Sequence, residues 1–507
     1  MPPTTPRKVP GVYVTELDAF PPSIVGVQTA VPAFIGYTER AALNGKSMLN
    51  TPVKITSMAD YVAIFGGGYH AEFNINSGTS TNYDVVIGGN YDLLEQIDKT
   101  KYYLYNSLRL FFDNGGGTCY IVSVGFYSDE APKLSEMEAG LTAIKDQVGP
   151  TILLAPDALL LSATEFPTFN KKMLNQCQTL KDRMAILDIY GIDSIDYSTD
   201  PNAQLIKLIE TFRGQVNESL SYGAVYAPAL GTSVVPVGDL NYGNFNIGND
   251  TQRDLLKSQL KQESANVYKD NPARKDQVDK LIDSISATYD ATLNKDLTAA
   301  LPVLQQSYTF MAQKLGQLPP SGGMAGVYTY IDQTRGVWNA PANLSMTSVI
   351  HPMVKITADQ QGDMNVPVDG KSVCAIREFV GKGTVVWGAR TLDGNSNDWR
   401  YIQVRRAIIY IEQSIKSALD RFVFAPNDGK TWVAVVSMIS NFLQGVWNQG
   451  GLMGATAQEA FTVQCGLGTT MTAQDILEGY MVVQVTLTML RPAEFIELTF
   501  KQQMLGS

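Results

Sequence analysis

Two rhythms of apolar residues run along this chain, one of period two and one of three to four, and the switches between them mark its parts. Gly11 to Leu17 alternates as a short strand, with Val12 and Val14 on one side and Tyr13 and Thr15 on the other. Pro21-Pro22 ends it, and a second apolar segment, Ile24 to Tyr37, leads into a body. Between Val53 and Gly125 short strands and glycine clusters mix with helical stretches. Ser57 to Phe65 reads as a helix with Ser57 as N-cap and Gly66 as stop. Tyr102 to Phe112 reads as an amphipathic helix closed by Asn114 and Gly115-Gly116-Gly117, and CYIVSVG as a buried strand. Helix (Leu134 to Ile144), strand (Thr151 to Ala155), helix (Phe169 to Lys181) and strand (Met184 to Ile189) then alternate, and Ala203 to Phe212 and Ala224 to Tyr226 continue the series. That order predicts an α/β layer with a partly parallel sheet. Thr251 to Leu318 breaks it: charged and poor in β-branched runs, this stretch reads as helices interrupted at Asn271-Pro272 and Pro302, an insertion on the outer surface. After Pro319-Pro320-Ser321-Gly322-Gly323 the pattern predicts strand and loop.

The last hundred residues are the most regular. In WRYIQVRRAIIYIEQSIKSALDRFVF the apolar positions Val404, Ile408, Ile411, Ile415, Leu419 and Phe422 recur at steps of three or four, one buried helix face, with Arg405, Arg406, Glu412, Lys416 and Asp420 largely elsewhere on the wheel. From Trp399 to Phe422 such a helix runs roughly 35 Å at 1.5 Å per residue. The APND stretch at Ala425 to Asp428 stops it. MVVQVTLTML then places Val483, Val485, Leu487 and Met489 on one strand face, and FIELTFK places Ile496, Leu498 and Phe500 on another. The chain thus begins and ends in short amphipathic strands. An unpaired strand edge is an adhesive template, suited to adding strands to a neighbour's sheet.

The same region carries a resemblance. RRAIIYIEQSIKSAL, FAPNDGKTW, NFLQGVWNQGGLMGATAQEAFTVQCG and LRPAEFIEL, with PGVYVTEL at Pro10 to Leu17 and PPSGGMAGVYTYIDQTRGVWNAPAN at Pro319 to Asn343, resemble the contractile tail sheath family of phages and phage-tail-like injection particles. Leu159 to Leu318 matches poorly, and Ala425 stands where the family pattern has an acidic residue, so a charge contact made there in relatives is in doubt here. The resemblance implies a multidomain mixed α/β chain. Residues 1–25 would be an N-terminal arm donated to a neighbour, 26–343 an outer α/β body with the helical insertion 251–318, 344–490 an inner C-terminal domain, and 491–507 a C-terminal arm strand. It implies a helical homo-oligomer of hexameric rings around an inner tube protein, with baseplate and terminal cap proteins as further partners. Extended and metastable at first, such a sheath contracts on a baseplate signal and drives the tube through a target envelope. Strand exchange would then fall on Val12, Tyr13, Val14, Val483, Val485, Leu487, Ile496, Leu498 and Phe500, and inner-tube or intersubunit contacts on Arg405, Arg406, Asp428 and Lys430. The segment Thr472 to Glu478 is a further candidate for the tube contact. Virus and bacterial particle both fit.

Composition narrows the alternatives. At 507 residues, 45% hydrophobic and 17% charged, the chain is globular and too long for one ordinary core. Its net charge of −10 repels phosphate backbones and argues against direct nucleic-acid binding. Cys119, Cys177, Cys374 and Cys465 lie far apart without a CxxC, reading as buried free thiols of a reducing compartment. The N-terminus lacks a basic-then-apolar signal pattern, and runs such as TILLAPDALLL are too short and interrupted to span a bilayer. Synthesis in the cytoplasm and exit by lysis or within a particle are expected.

No chemistry is expected either. Gly45-Lys46-Ser47 imitates a phosphate-binding loop, but Arg40 stands where that loop needs glycine. The two histidines, His70 and His351, lack ligand or triad partners at suitable spacing, and His351 reads as a loop residue beside Pro352. Asp188 with Asp193 is a carboxylate pair whose plain reading is a solvated loop. Trp399, Trp432 and Trp447 read as core packing, with an intersubunit anchor as the alternative. No cofactor or metal is called for. The competing readings are a static shell or capsid-like protein and an α/β hydrolase-type enzyme.

Overall fold

The computed structural model describes residues 23–97, 101–128 and 131–498. Val12, Tyr13, Val14 and Phe500 lie outside them. The chain divides into two compact units: Gln28–Tyr410 with the segment that begins at Arg491, and Ile411–Leu490 with the segment that ends at Val27.

The larger unit is organised on a nine-stranded sheet. Its strand order is Leu344–Ser345, Gly383–Val386, Cys374–Phe379, Gly223–Ala227, Met184–Leu187, Ile152–Leu154, Pro32–Thr38, Cys119–Phe126, Val53–Ile55. The six strands from 374–379 to 119–126 are parallel, and the flanking strands are antiparallel. PAFIGYT, ILL, MAIL and GAVYA are buried along their whole length, as parallel strands covered on both faces must be. The connecting helices Leu134–Ala143, Glu165–Leu180 and Pro201–Gln215 stand within a few residues of the spans read from the sequence. Ser57 caps its helix through its side chain on the Asp60 amide, and Gly66 ends it at φ 85°.

Three expectations change. Ser321–Arg335 is a largely buried helix, not strand and loop. Its glycines look like breakers, yet they are where the Leu104–Asp113 helix comes closest. A Cβ on Gly322 would stand 2.5 Å from the Ser107 carbonyl oxygen, and one on Gly326 2.5 Å from that of Phe111. Glycine is required by the approach of two backbones. Second, residues 344–410 belong with the body, because strands 344–345, 374–379 and 383–386 complete its sheet. Third, His351 lies in the exposed strand Val349–Pro352, paired with Leu230–Thr232.

The stretch 251–318 is helical, as read: Asp250–Val267, Pro272–Asp283, Ala291–Ala300 and Pro302–Leu315. Asn249, Asn271 and Asp290 cap three of these helices by accepting backbone N–H groups. Leu256, Leu260, Val278, Ile282, Leu297 and Leu304 are buried among them. The bundle lies on a small antiparallel sheet, Phe73–Ser77, Asn90–Gln96 and Val85–Ile87. There Gln259 Nε2 donates to Asp92 Oδ1 at 2.8 Å.

In the smaller unit the Gly429–Asn448 helix buries Val435, Met438, Ile439, Leu443 and Val446. A two-stranded antiparallel sheet, Phe461–Gln464 with Gln484–Leu487, lies against it. The Val27 amide donates to Ser414 Oγ at 3.1 Å and ties the incoming segment to the Ile402–Leu419 helix.

Candidate assembly surfaces

Arg405 and Arg406, expected at a subunit or tube contact, are both buried inside the body. The Arg405 guanidinium carbon lies 3.5 Å from the Trp399 ring centroid and 4.2 Å from that of Tyr222, while Nη2 donates to Ser221 Oγ at 3.0 Å. Arg406 donates to both carboxylate oxygens of buried Asp332, at 2.9 and 2.5 Å, over the Tyr328 ring. The helix they start is enclosed on more than one face at this end, so its charged side is internal too. Neither arginine is presented to a neighbour. The same geometry packs half-buried Trp399 against Arg405.

Asp428 is exposed and occupied locally. It is the N-cap of the 429–448 helix, accepting from the Thr431 amide at 2.9 Å, a bond that holds its carboxyl below the ordinary range. Lys430 in the first turn is exposed. Around it the turn is stapled: Trp432 Nε1 donates to Asn427 Oδ1 at 2.7 Å, and Asn427 Nδ2 to the Tyr480 carbonyl at 2.8 Å. At the other end Trp447 Nε1 donates to the Gly454 carbonyl at 3.1 Å. In the segment 472–478, Thr472 caps the short Ala473–Leu477 helix in a reciprocal box with Asp475.

Val483, Val485 and Leu487 take the alternation read from the sequence, half-buried and followed by exposed neighbours. Val483 just precedes the strand Gln484–Leu487, which is paired at home, Val485 opposite Val463 and Leu487 opposite Phe461. Among the described residues this sheet has only two strands, so each keeps one open edge. A two-stranded sheet is marginal alone and gains from further strands.

Ile496 and Leu498 belong to no strand among the described residues and are each 77% exposed, with Phe495 at 74%. The segment is held at one place. Arg390 Nε donates to Glu494 Oε1 at 3.0 Å and to Oε2 at 3.2 Å, Nη2 donates to Oε2, and Tyr401 OH reaches Oε2 at 3.3 Å.

Sequence reasoning missed this pair, since LRPAEFIEL carries two acids, Glu494 and Glu497, and nothing in it singles out the one that meets Arg390. It also missed the smaller unit's exposed apolar residues: Val433, Leu477, Tyr480 and Phe424, the last at φ 68° where a bulky residue is strained.

The carboxyl ends of parallel strands are where open α/β sheets usually hold ligands. Here two enclosed carboxylates fasten structure instead. Asp157 accepts from the amides of Tyr37, Tyr103 and Leu104 at 2.8, 2.6 and 3.0 Å. Asp188, expected in a solvated loop, is buried and accepts from Ser321 N and Oγ at 3.1 and 2.5 Å. Burial pushes Asp157 up to about 6 and Asp188 to about 7, against the hydrogen bonds that favour their charged forms. Asp193 is elsewhere, accepting from the Tyr103 hydroxyl.

His70 Nε2 lies 3.1 Å from the Gly243 carbonyl oxygen. Cys119, Cys177 and Cys374 are buried and Cys465 half-buried, all as free thiols. Gly45-Lys46-Ser47 lies in an exposed two-stranded turn. Among the described residues no group of three His, Cys, Asp or Glu is placed to hold a metal ion, and no helix is long and apolar enough to cross a membrane.

A mixed α/β body, a small helix-and-strand unit with open sheet edges, and an apolar terminal segment tethered through Glu494 make up the described residues. Residues 395–503 match the family described as phage tail sheath C-terminal domain. The chain is similar over 98% of its length, at 27% identity and TM-score 0.58, to a chain that is fully covered in the anti-feeding prophage baseplate. It is similar over 99% of its length, at 27% identity and TM-score 0.58, to a chain of the extracellular contractile injection system PVC sheath complex in its contracted state, 99% of which is covered. A tail sheath protein of Vibrio phage KVP40 is 23% identical over 163 residues, 31% of this chain and 24% of that relative, so the match spans about a quarter of the curated phage protein.

Proposed function

We propose that this chain is the repeating subunit of a contractile sheath, polymerising head to tail into a helical tube around an inner tube and shortening to drive that tube through a cell envelope. The observation that carries the reading is likeness along essentially the whole chain to a chain of a sheath complex in its contracted state. A head-to-tail contact that does not close gives a helix rather than a ring. In the particle the subunit would also meet a baseplate, since a similar chain is part of the anti-feeding prophage baseplate, and an inner tube and terminal cap.

The arms supply continuity. Residues 10–17 and 491–500 add strands to sheets of neighbouring copies, and the open edges of the 461–464 and 484–487 pair receive strands in turn. Strand hydrogen bonds survive rotation of the domains they join, so the bodies re-pack while the mesh holds. The drive is a gap between two packings, stored kinetically at assembly. The inner-tube contact falls on the smaller unit, with Lys430 and the 472–478 segment as its exposed polar candidates.

Deleting residues 1–17 tests the arm. The expected result is a folded subunit by circular dichroism and thermal melting that no longer sediments as tubes. Tubes from the truncated chain contradict strand donation at that end. Lys430→Glu should weaken retention on the inner tube in a pull-down, and unchanged retention removes that loop as the contact.

A further inference from the structure

The Arg390 guanidinium is enclosed in the body, and its donors are all directed. Nη1 faces the carbonyl oxygens of Asn365 and Gly394 at 3.3 and 3.4 Å, and Nε and Nη2 meet the Glu494 carboxylate. The Tyr401 ring lies alongside, 5.9 Å from the guanidinium carbon. The Arg390 and Glu494 side chains are largely shielded from water, so the pair is not weakened by solvent as a surface ion pair is.

What this pair holds is unusual. Glu494 sits in a segment that makes no strand among the described residues, two residues after Pro492, which has no N–H to give a ladder. Immediately beyond it, Phe495, Ile496 and Leu498 project into solvent. The pair therefore does not bury the terminal segment. It fixes one residue of that segment and leaves the next residues presented.

We infer that Arg390 and Glu494 form an anchor that sets where and in which register the C-terminal strand is offered to a second copy of this chain. Side-chain identity alternates between the two faces of a strand, so a slip of one residue turns Ile496 and Leu498 from one face to the other. In a strand, an acid fixed two residues before Ile496 and four before Leu498 shares their face and pins that choice. Arg390 and Glu494 are positioning residues, acting through the strand they hold. The inference rests on the strand-donation reading above.

The test uses the full chain and the critical concentration for tube assembly, measured by sedimentation alongside the melting temperature of the unassembled subunit. Ending the chain after Glu494 removes the donated residues and leaves the anchor. Arg390→Met with Glu494→Gln removes the anchor, leaves no buried unpaired charge and keeps the donated residues. Both are expected to raise the critical concentration at least tenfold, with the melting temperature of the double variant close to that of the parent. Normal assembly of the shortened chain overturns strand donation itself. Loss of assembly in the shortened chain but parental assembly of the double variant overturns the anchor and leaves donation standing. If the double variant does not fold, Glu494→Gln alone decides in the same way, since it keeps the shape of the side chain and removes its charge.

Discussion

At the scale of single residues, the body uses charge as internal fastening. Arg406 and Asp332 are both enclosed and joined by two hydrogen bonds. Removing one partner strands the other, so Arg406→Met should destabilise the subunit by about 3–5 kcal/mol, read by urea denaturation. A loss below about 1 kcal/mol would mean that water reaches Asp332. Asp188 behaves differently because it accepts from the neutral donors of Ser321. Its carboxyl titrates near 7 in the fold and about 4 in the unfolded chain. The folded state therefore binds the extra proton between those values. The contribution to stability is complete below about pH 4, falls as the pH rises towards 7, and is lost above it. Asp188→Asn keeps an acceptor for Ser321 and removes the charge. It should melt at or above the parent temperature at pH 8, with a flatter profile between pH 5 and 8. A variant that loses more stability at pH 8 than at pH 5 would contradict this assignment.

At the scale of elements, two glycines make opposite predictions. Gly326 faces the Phe111 carbonyl across a helix crossing, and Gly326→Ala forces backbone apart, costing about 1–3 kcal/mol. Gly445 lies within the 429–448 helix, and a methyl group added there would meet nothing within 4 Å, so Gly445→Ala should stabilise by about 1 kcal/mol. Thermal melts of the two variants should move in opposite directions. Equal shifts would mean that the two helices can part at Gly326 without cost.

The buried glycine helix shows what a sequence can and cannot convey. Periodicity located four of the six parallel strands (119–126, 152–154, 184–187 and 223–227), the capped helix at Ser57 and the helical stretch 251–318, because each rests on local pattern. It misread Ser321–Arg335, where the glycines answer to a partner helix more than two hundred residues away in sequence. It misplaced Arg405 and Arg406 for a related reason. A helical wheel separates polar from apolar positions, but it does not show that the polar side is enclosed by Tyr222, Asp332 and Tyr328. The family motifs made the class of molecule legible. The tether at Glu494 was not, since Arg390 lies about a hundred residues upstream and no spacing connects them.

At the scale of the whole molecule, the subunit has a finished interior and unfinished edges. Polar groups at the carboxyl ends of its parallel strands are occupied in fastening helices, and the remaining demand for partners lies in open strand edges and exposed apolar side chains. Such a subunit gains most from copies of itself. Its acidic surface, net −10, should make assembly favour higher salt, as screening reduces repulsion between like-charged copies. Light scattering at about 50 and about 300 mM salt, which spans a large change in screening length, should show faster tube growth at the higher value. The reverse order would mean that charge pairing drives the contact.

The most direct measurement is negative-stain electron microscopy of the chain expressed alone and together with its inner tube protein. Cross-striated tubes are expected in both, wide when the chain assembles by itself and narrower where it surrounds a core, because one subunit packs into two lattices. Tubes of a single width under both conditions would indicate a static shell, and compact particles or monomers would contradict self-assembly through the arms.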